Sequence, residues 1–249
     1  MELIPGFPDS AYEIYELPFV PDLASLPVLP TRWIKRFFGL DADAVRRVLI
    51  EDGSRIRHPS LKRFRDALFK YQPFALVHDN CHWSLAIQRY QAHCMRTIYL
   101  ESPADTNVLK TILGAYDFRE QALIEEFYTH FYGVSGSPVE CCPSGFMRPE
   151  KWELFESYGW EEQISKFDAE RKWARSLVIC KVGNGDSVLL NPTSGDTAWA
   201  LLSMKPDGGP FVPLTPTFAK LLDTCVDLSK GITLLLDYYR WAKRKDRGS

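Results

Sequence analysis

The hydrophobic residues change their spacing along the chain, and this change constrains the fold more than any other sequence feature. Leu61, Phe64 and Leu68 recur at the spacing of one helix face. From Phe74 to about residue 100, apolar and polar residues alternate instead, with the two-residue period of strands that have one face on a core. Helical spacing returns after residue 105. The chain is therefore predicted to be an α+β protein with an antiparallel sheet flanked by helices.

A hairpin in the second half supports the same fold class. Apolar strands at residues 176–182 and 187–190 flank the turn Gly183-Asn-Gly-Asp186, and both central residues of an Asn-Gly turn tolerate positive φ. The elements predicted after this hairpin are a turn at 191–196, a strand at 197–204, a turn at 205–209, and helices at 215–226 and at about 229–245.

Short polar side chains mark the predicted starts of the other helices, because they accept hydrogen bonds from free backbone N–H groups. Each stands directly before an apolar stretch with helical spacing. The helices predicted in this way begin at Thr31, at Asp41, at Ser60 and at Asp105 or Thr106, and a fifth covers residues 118–132. The third of these is predicted to run from Leu61 to Tyr71.

Proline density indicates how the 249 residues are divided. Six of the seventeen prolines lie in the first thirty residues, and this density prevents long helices there. The same stretch has too many aromatic and aliphatic side chains for a free tail. Residues 1–30 are predicted to be an extended arm lying over the body, 31–117 an N-terminal α+β subdomain and 118–245 a C-terminal subdomain. A single compact body is the alternative.

Composition excludes some classes of protein and disfavours others. Apolar residues make up 45% and charged residues 25%, which is ordinary for folded proteins and excludes wholesale disorder. Thirty basic and thirty-two acidic residues give a net charge of −2, so the chain as a whole does not attract nucleic acid. A nucleic-acid-binding module remains an alternative because basic residues cluster in the first third. They are Arg32, Lys35, Arg36, Arg46, Arg47, Arg55, Arg57, Lys62, Arg63 and Arg65.

The sequence predicts a cytoplasmic protein without a membrane partner. No apolar run approaches the roughly 18 residues of a membrane span, and the N-terminus lacks the basic start and apolar run of a signal peptide. The six cysteines are irregularly spaced in a chain large enough to fold without disulfides, so reduced thiols are predicted. No cofactor or metal is predicted for the favoured function.

A cysteine- or metal-dependent hydrolase is a second alternative. A thiolate beside an imidazole is the beginning of a nucleophilic site, and Cys81 and His82 are adjacent. Adjacent strand residues point to opposite faces, so these two cannot pair with each other. In the metal-dependent form of this alternative, His78, His82 and His93 approach one another across the strands with Cys94 nearby and form a metal cluster; in the cysteine-dependent form, Cys81 is the candidate nucleophile.

Four motifs follow one another after residue 118. The helical stretch 122–133 ends in Phe-Tyr-Gly, and a loop leads to Ser157-Tyr-Gly-Trp160. The hairpin 178–192 contains Gly-Asn-Gly-Asp, and Thr215-Pro-Thr-Phe-Ala-Lys-Leu-Leu222 follows the strand with Trp199. This order resembles the SUKH superfamily, which includes fungal cell-wall synthesis regulators and many bacterial toxin-immunity proteins. The lead-in before residue 115 is longer than is usual in that family and is an additional part.

The resemblance implies a noncatalytic α+β scaffold that binds a protein partner. For a bacterial immunity protein the partner is a cognate toxin, which is neutralised when its active site is covered. Loop and turn residues around the sheet are the candidate contacts, with an aromatic anchor and carboxylates for a basic toxin. They are Trp160, Asn184, Asp186, Asp196 and Asp207, together with the loop from Cys141 to Phe146.

Overall fold

A computed structural model of the chain shows a fold of helices and one β-sheet. The structure describes residues 12–24, 26, 28–78, 82–91, 94–103, 105–131, 133–135, 145–158, 166, 168, 171–181, 187–205 and 209–226. Its α-helices are α1 (Arg32–Lys35), α2 (Ala42–Gly53), α3 (Pro59–Leu68), α4 (Thr106–Gly114), α5 (Gln121–His130) and α6 (Phe218–Val226). Turns of 3₁₀ helix lie at Pro149–Lys151 and Phe155–Tyr158. None of the described helices has the length and apolar character needed to cross a membrane.

The strands form an antiparallel sheet in which neighbours in sequence are neighbours in space. They are β1 (Glu13–Glu16), β2 (Gln72–His78), β3 (Trp83–Gln91), β4 (Cys94–Glu101), β5 (Val134–Ser135), β6 (Gly145–Phe146), β7 (Leu177–Lys181), β8 (Ser187–Leu190), β9 (Thr197–Lys205) and β10 (Gly209–Thr215). Their order runs from β1 to β10 without a crossover. Helices combined with this antiparallel sheet confirm the predicted α+β class.

The sheet narrows at its middle. Strands β5 and β6 have two residues each. They pair with β4 at Tyr99–Ser135 and Leu100–Val134, with each other at Val134–Phe146, and with β7. Two wide meanders, β1–β4 and β7–β10, are therefore joined through a waist formed by β5 and β6.

Side-chain caps explain where three helices begin. The side-chain oxygens of Thr31, Asp41 and Asp105 accept hydrogen bonds from backbone N–H groups two or three residues later, at 3.3, 2.7 and 2.8 Å. Each bond satisfies a backbone donor that has no partner within its helix. The predicted starts at these three residues are confirmed.

The third helix begins earlier than the sequence predicted. The Nδ1 atom of His58 accepts a hydrogen bond from the backbone N–H of Ser60 at 3.3 Å, so His58 is the cap. Pro59 occupies the first turn, where its fixed φ suits a helix and its missing N–H costs nothing. The predicted cap at Ser60 is therefore wrong, and the helix ends at Leu68 rather than at Tyr71.

The described part of the proline-rich stretch is bonded to the body. Residues 13–16 form β1, an edge strand paired with β2. The carbonyl oxygen of Phe19 accepts a hydrogen bond from the N–H of Gly39 at 2.8 Å, and that of Val28 accepts one from Nε1 of Trp83 at 2.9 Å. This segment thus makes backbone bonds to the sheet and to the residues that follow α1.

The last strand, β10, was not predicted. Residues 205–209 were expected to form a turn before a helix at 215, but β9 reaches Lys205 and β10 pairs back along it. Pro210 and Pro213 argue against a strand in the sequence, because proline has no backbone N–H to donate to a neighbouring strand. At an edge the outward N–H has no ladder partner, so proline is tolerated there, and β10 lies at the edge.

Five phenylalanine rings form an aromatic cluster at the centre of the core. Phe127 of α5 has its ring centroid 5.5 Å from Phe64, 6.0 Å from Phe131, 5.0 Å from Phe146 and 5.6 Å from Phe218. These partners belong to or directly follow α3, α5, β6 and α6, and Phe127 itself is fully buried. The aromatic cluster therefore packs elements from both halves of the chain against one another.

Two carboxylates, one directly before α5 and one in its middle, extend this role. Glu120 accepts hydrogen bonds from the backbone N–H groups of Phe218 and Ala219, the first residues of α6. Glu126 accepts them from Arg57 and His58, directly before α3. Each satisfies donors at a helix start that is distant in sequence. Helix α5 thus caps α6 and orients the entry to α3.

Replacing Phe127 by alanine is expected to lower the free energy of unfolding by about 3–5 kcal/mol. The substitution removes the ring that packs against Phe64, Phe131, Phe146 and Phe218 and leaves a cavity in a packed core. Urea denaturation followed by tryptophan fluorescence measures the change. Tyr90→Ala is the control, since this side chain is 67% exposed and its loss is expected to change the free energy by no more than about 0.5 kcal/mol. Equal destabilisation by the two variants would contradict the central role of Phe127.

Candidate functional site

Most of the predicted partner-binding residues lie outside the described part of the chain. These are Trp160, Asn184, Asp186 and Asp207, together with residues 141–144 of the predicted contact loop. The last two residues of that loop form β6, and Phe146 is buried in the aromatic cluster. Asp196 is the predicted contact whose surroundings are described.

Asp196 ends a tight turn between β8 and β9. The backbone N–H of Asn191 donates to the carbonyl oxygen of Asp196 at 2.8 Å, and the N–H of Gly195 donates to that of Asn191 at 2.9 Å. Gly195 has φ of 77°, a left-handed conformation that favours glycine. The Asp196 carboxylate accepts hydrogen bonds from Nζ of Lys172 and from Oγ of Ser194. The Lys172 bond is the main cause that lowers the pKa of Asp196.

A buried carboxylate holds the segment that carries Lys172. Asp168 is 6% exposed, and its oxygens accept the backbone N–H groups of Lys172, Trp173 and Ala174 at 2.8, 2.7 and 2.8 Å. Nζ of Lys172 lies 4.8 Å from the centroid of the Trp173 ring, which stacks on Phe211 of β10. Asp196 is therefore tied to a well-ordered turn, and its carboxylate is already engaged within the chain.

The residues of the hydrolase alternative are only partly described. Cys81 and His93 lie outside the described residues. His78 is 1% exposed, its ring centroid is 5.0 Å from that of Trp83, and its Nε2 atom has no hydrogen-bond partner among the described residues. His82 is half-buried before β3. Within the described residues, no group of three or more histidine, cysteine or carboxylate side chains could hold a metal ion.

Two other thiols are shielded from reaction. Cys180 and Cys225 are both buried, and neither forms a disulfide with a described residue. Burial raises the pKa of Cys225 to about 12 and raises that of Cys180 still further, with the neighbouring Cys225 contributing. Both thiols are consequently protonated at neutral pH, and a protonated thiol is a poor nucleophile.

Several of the clustered basic residues are engaged within the chain. Arg36 forms a two-pronged ion pair with Asp52 at 2.7 and 3.1 Å, and Arg63 pairs with Asp223 at 2.7 Å. Arg65 pairs with Asp66 and also donates to the carbonyl oxygen of Gly53 at 2.8 Å. Arg46 donates to that of Phe69 at 3.1 Å. These four guanidinium groups join helices and turns to one another, which reduces the positive surface left for a phosphate backbone.

The tip of the β3–β4 hairpin carries the clearest exposed apolar pair. These strands pair in an uninterrupted register from Ser84–Glu101 to Gln91–Cys94, in which Tyr90 faces Met95. Tyr90 is 67% exposed and Met95 is 55% exposed. Both lie on the sheet face that carries Ala86 and Tyr99, which are buried in a second, smaller apolar cluster with Ala75 and Val77. Tyr90 and Met95 therefore continue this apolar face beyond the part of it that is covered. The exposed pair was not predicted from the sequence, because apolar residues at alternate strand positions normally indicate a buried face.

Replacing Asp196 by asparagine tests the contacts of this turn. The pKa of Asp196 is lowered in the folded chain, so its contribution to the free energy of unfolding is complete at neutral pH and is lost as the pH falls through the lowered value. The variant is expected to lose up to about 1 kcal/mol at pH 7, and the difference from the wild type is expected to vanish well below about pH 4. Denaturation curves across this pH range measure it.

Asp117→Asn is the matched control, because Asp117 is exposed and has no hydrogen bond or ion pair within the described residues. It is expected to show no difference from the wild type at any pH. An Asp196→Asn variant whose loss of stability stayed constant down to pH 3 would show that the charge of Asp196 contributes nothing to the turn.

The hairpin tip is the candidate interface that the described geometry offers. It differs from the predicted set, of which Asp196 already bonds within the chain. It also requires no reactive group. Comparison of the chain with protein-family models, with curated proteins and with solved structures found no match.

Proposed function

We propose that the chain is a noncatalytic protein-binding protein, whose partner is a toxin that it neutralises by covering the toxin's active site. The motif order of residues 118–245, which resembles the SUKH superfamily, supports the immunity role. The exposed pair of Tyr90 and Met95 supports protein binding and is the observation that carries the proposal.

Tyrosine and methionine are suited to this use. Both are enriched at the centres of protein interfaces relative to the rest of the surface. Tyr90 offers a rigid ring with a polar end, and Met95 offers an unbranched side chain that adapts to the partner's shape. Covering this apolar surface releases about 25 cal/mol for each Å² removed from water.

The sheet holds this pair in position before any partner binds. Leu85 and Ile87 lie further along β3 on the opposite face and are buried in the main core, as is Ile98 of β4. The hairpin is therefore fixed at its base by the core and along its length by its register. A preformed binding surface loses less conformational entropy on association than a flexible one.

Steric occlusion needs no chemical group from this chain. The mechanism depends on a surface that fits the toxin and excludes its substrate, with affinity concentrated in a few anchoring side chains. The thiols of Cys180 and Cys225 are buried and protonated at neutral pH, and the proposed mechanism makes no use of them.

The proposal is tested with tagged wild-type protein and a Tyr90→Glu, Met95→Glu double variant as parallel baits in a pull-down from the source organism. The control bait is Val108→Glu, which places the same charge at another exposed apolar residue, 45% exposed on α4. A partner recovered in stoichiometric amount is then purified. We expect the double variant to bind it at least about 10-fold more weakly than the wild type in calorimetry, while the control binds normally.

Protection completes the test. Expression of the partner alone is expected to arrest growth of a host cell, and co-expression of the wild type or the Val108→Glu control to restore it. Failure to recover any stoichiometric partner would overturn protein binding as the function. A partner that is harmless to the cell would overturn the immunity role, and equal affinity for the double variant would overturn the placement of the interface at the hairpin tip.

A further inference from the structure

A cleft of about 360 Å³ lies on another part of the molecule, between the C-terminal ends of α2 and α5 and the end of β4. Its volume falls within the roughly 300–1,000 Å³ typical of small-molecule sites. Trp33, Phe69 and Phe131 supply aromatic wall, and Leu49 and Leu100 supply aliphatic wall. The ring of Trp33 is held edge-on against Phe37 at 4.8 Å. The cleft thus has the shape and apolar lining to receive a flat ring.

The carboxylates that line this cleft are already neutralised. Asp52 accepts two hydrogen bonds from the guanidinium of Arg36, at 2.7 and 3.1 Å. Glu101 is ion-paired with Arg148, whose side chain is 13% exposed. Neither carboxylate therefore needs a positively charged ligand.

Arg55 leaves one positive charge uncompensated. It lines the cleft and is exposed, and its guanidinium group has no hydrogen bond or ion pair with any described residue. The nearby carboxylate of Glu126 is occupied, because its oxygens accept the backbone N–H groups of Arg57 and His58. Among the residues that line the cleft, Arg55 thus contributes one positive charge without an ion-pair partner in the described part of the chain.

The C-terminal end of α2 does not attract a positively charged ligand into the cleft. The carbonyl oxygens of a helix end attract cations when they lack hydrogen bonds. Here the carbonyl of Ile50 accepts from the N–H of Ser54 at 2.9 Å, and that of Glu51 accepts from the Oγ of Ser54 at 2.6 Å. Arg65 donates to the carbonyl of Gly53 at 2.8 Å. These acceptors are already satisfied within the chain.

His130 offers a second polar contact in the cleft. Burial lowers the pKa of this imidazole and Arg55 acts in the same direction, while Glu126 and Asp52 oppose them. The ring is therefore neutral at pH 7 and can donate one N–H without adding charge. A neutral donor beside an unpaired guanidinium suits a carboxylate, which accepts hydrogen bonds on both oxygens.

We propose that this cleft binds a small aromatic monocarboxylate, with its ring against Trp33 and Phe131 and its carboxylate on Arg55. The site is separate from the hairpin tip and does not depend on the protein-binding function. A ligand with an aromatic ring but no carboxylate would bind weakly, and a ligand with a carboxylate but no ring would remain hydrated. The apolar wall and Arg55 together favour a ligand that has both groups.

Calorimetry with indole-3-acetate and indole-3-acetamide as matched probes tests the proposal, since the two differ in charge and hardly in shape. The variants are Arg55→Gln and, as control, Arg47→Gln, which removes the same charge from an exposed arginine of α2 outside the cleft. The wild type and the control are expected to bind the carboxylate at least about 10-fold more tightly than the amide. In Arg55→Gln that preference is expected to fall to about 2-fold or less, with the melting temperature unchanged.

Three results would overturn the proposal. The first is equal affinity of the wild type for the two probes, and the second is an unchanged preference in Arg55→Gln. The third is no detectable heat with indole-3-acetate at about 5 mM, a concentration that reveals dissociation constants of about 1 mM.

Discussion

The packing of Phe127 is the interaction on which the rest of the structure depends. Its ring contacts Phe64 of α3, Phe146 of β6 and Phe218 of α6, which come from widely separated parts of the sequence. The sheet by itself joins its two wide meanders through only the two short strands of the waist. Side-chain packing on α5 therefore supplies the cohesion that backbone hydrogen bonding lacks at that point.

Helix α5 also combines apolar packing with two carboxylates, one at its N-cap and one in its middle. Glu120 and Glu126 satisfy backbone donors of α6 and of the segment before α3, so the elements that pack on Phe127 are also fixed in direction. Its last residues, including His130, line the aromatic cleft. The same helix thus positions the core and one wall of the proposed ligand site, while the hairpin tip lies on strands fixed separately by their register.

Local sequence signals predicted the local structure well and the long-range structure less well. The caps at Asp41 and Asp105 and the alternation in β3 could be found because each depends on residues a few positions apart. The pairing of Asp196 with Lys172 spans 24 residues and depends on the buried anchor of Asp168, for which the sequence has no local signal. Strand β10 was missed because its prolines are permitted only by its place at the edge, which follows from the complete sheet.

An open sheet has two edges that can template the addition of further strands, and both are protected here. Pro210 and Pro213 remove donors from β10, and the four-residue β1 carries exposed carboxylates at Glu13 and Glu16. These features disfavour the stacking of one copy on another that leads to fibrils. The exposed Tyr90 and Met95 of the proposed interface lie on β3 and β4, away from either edge of the described sheet, so they do not extend an edge onto which a second copy could add a strand.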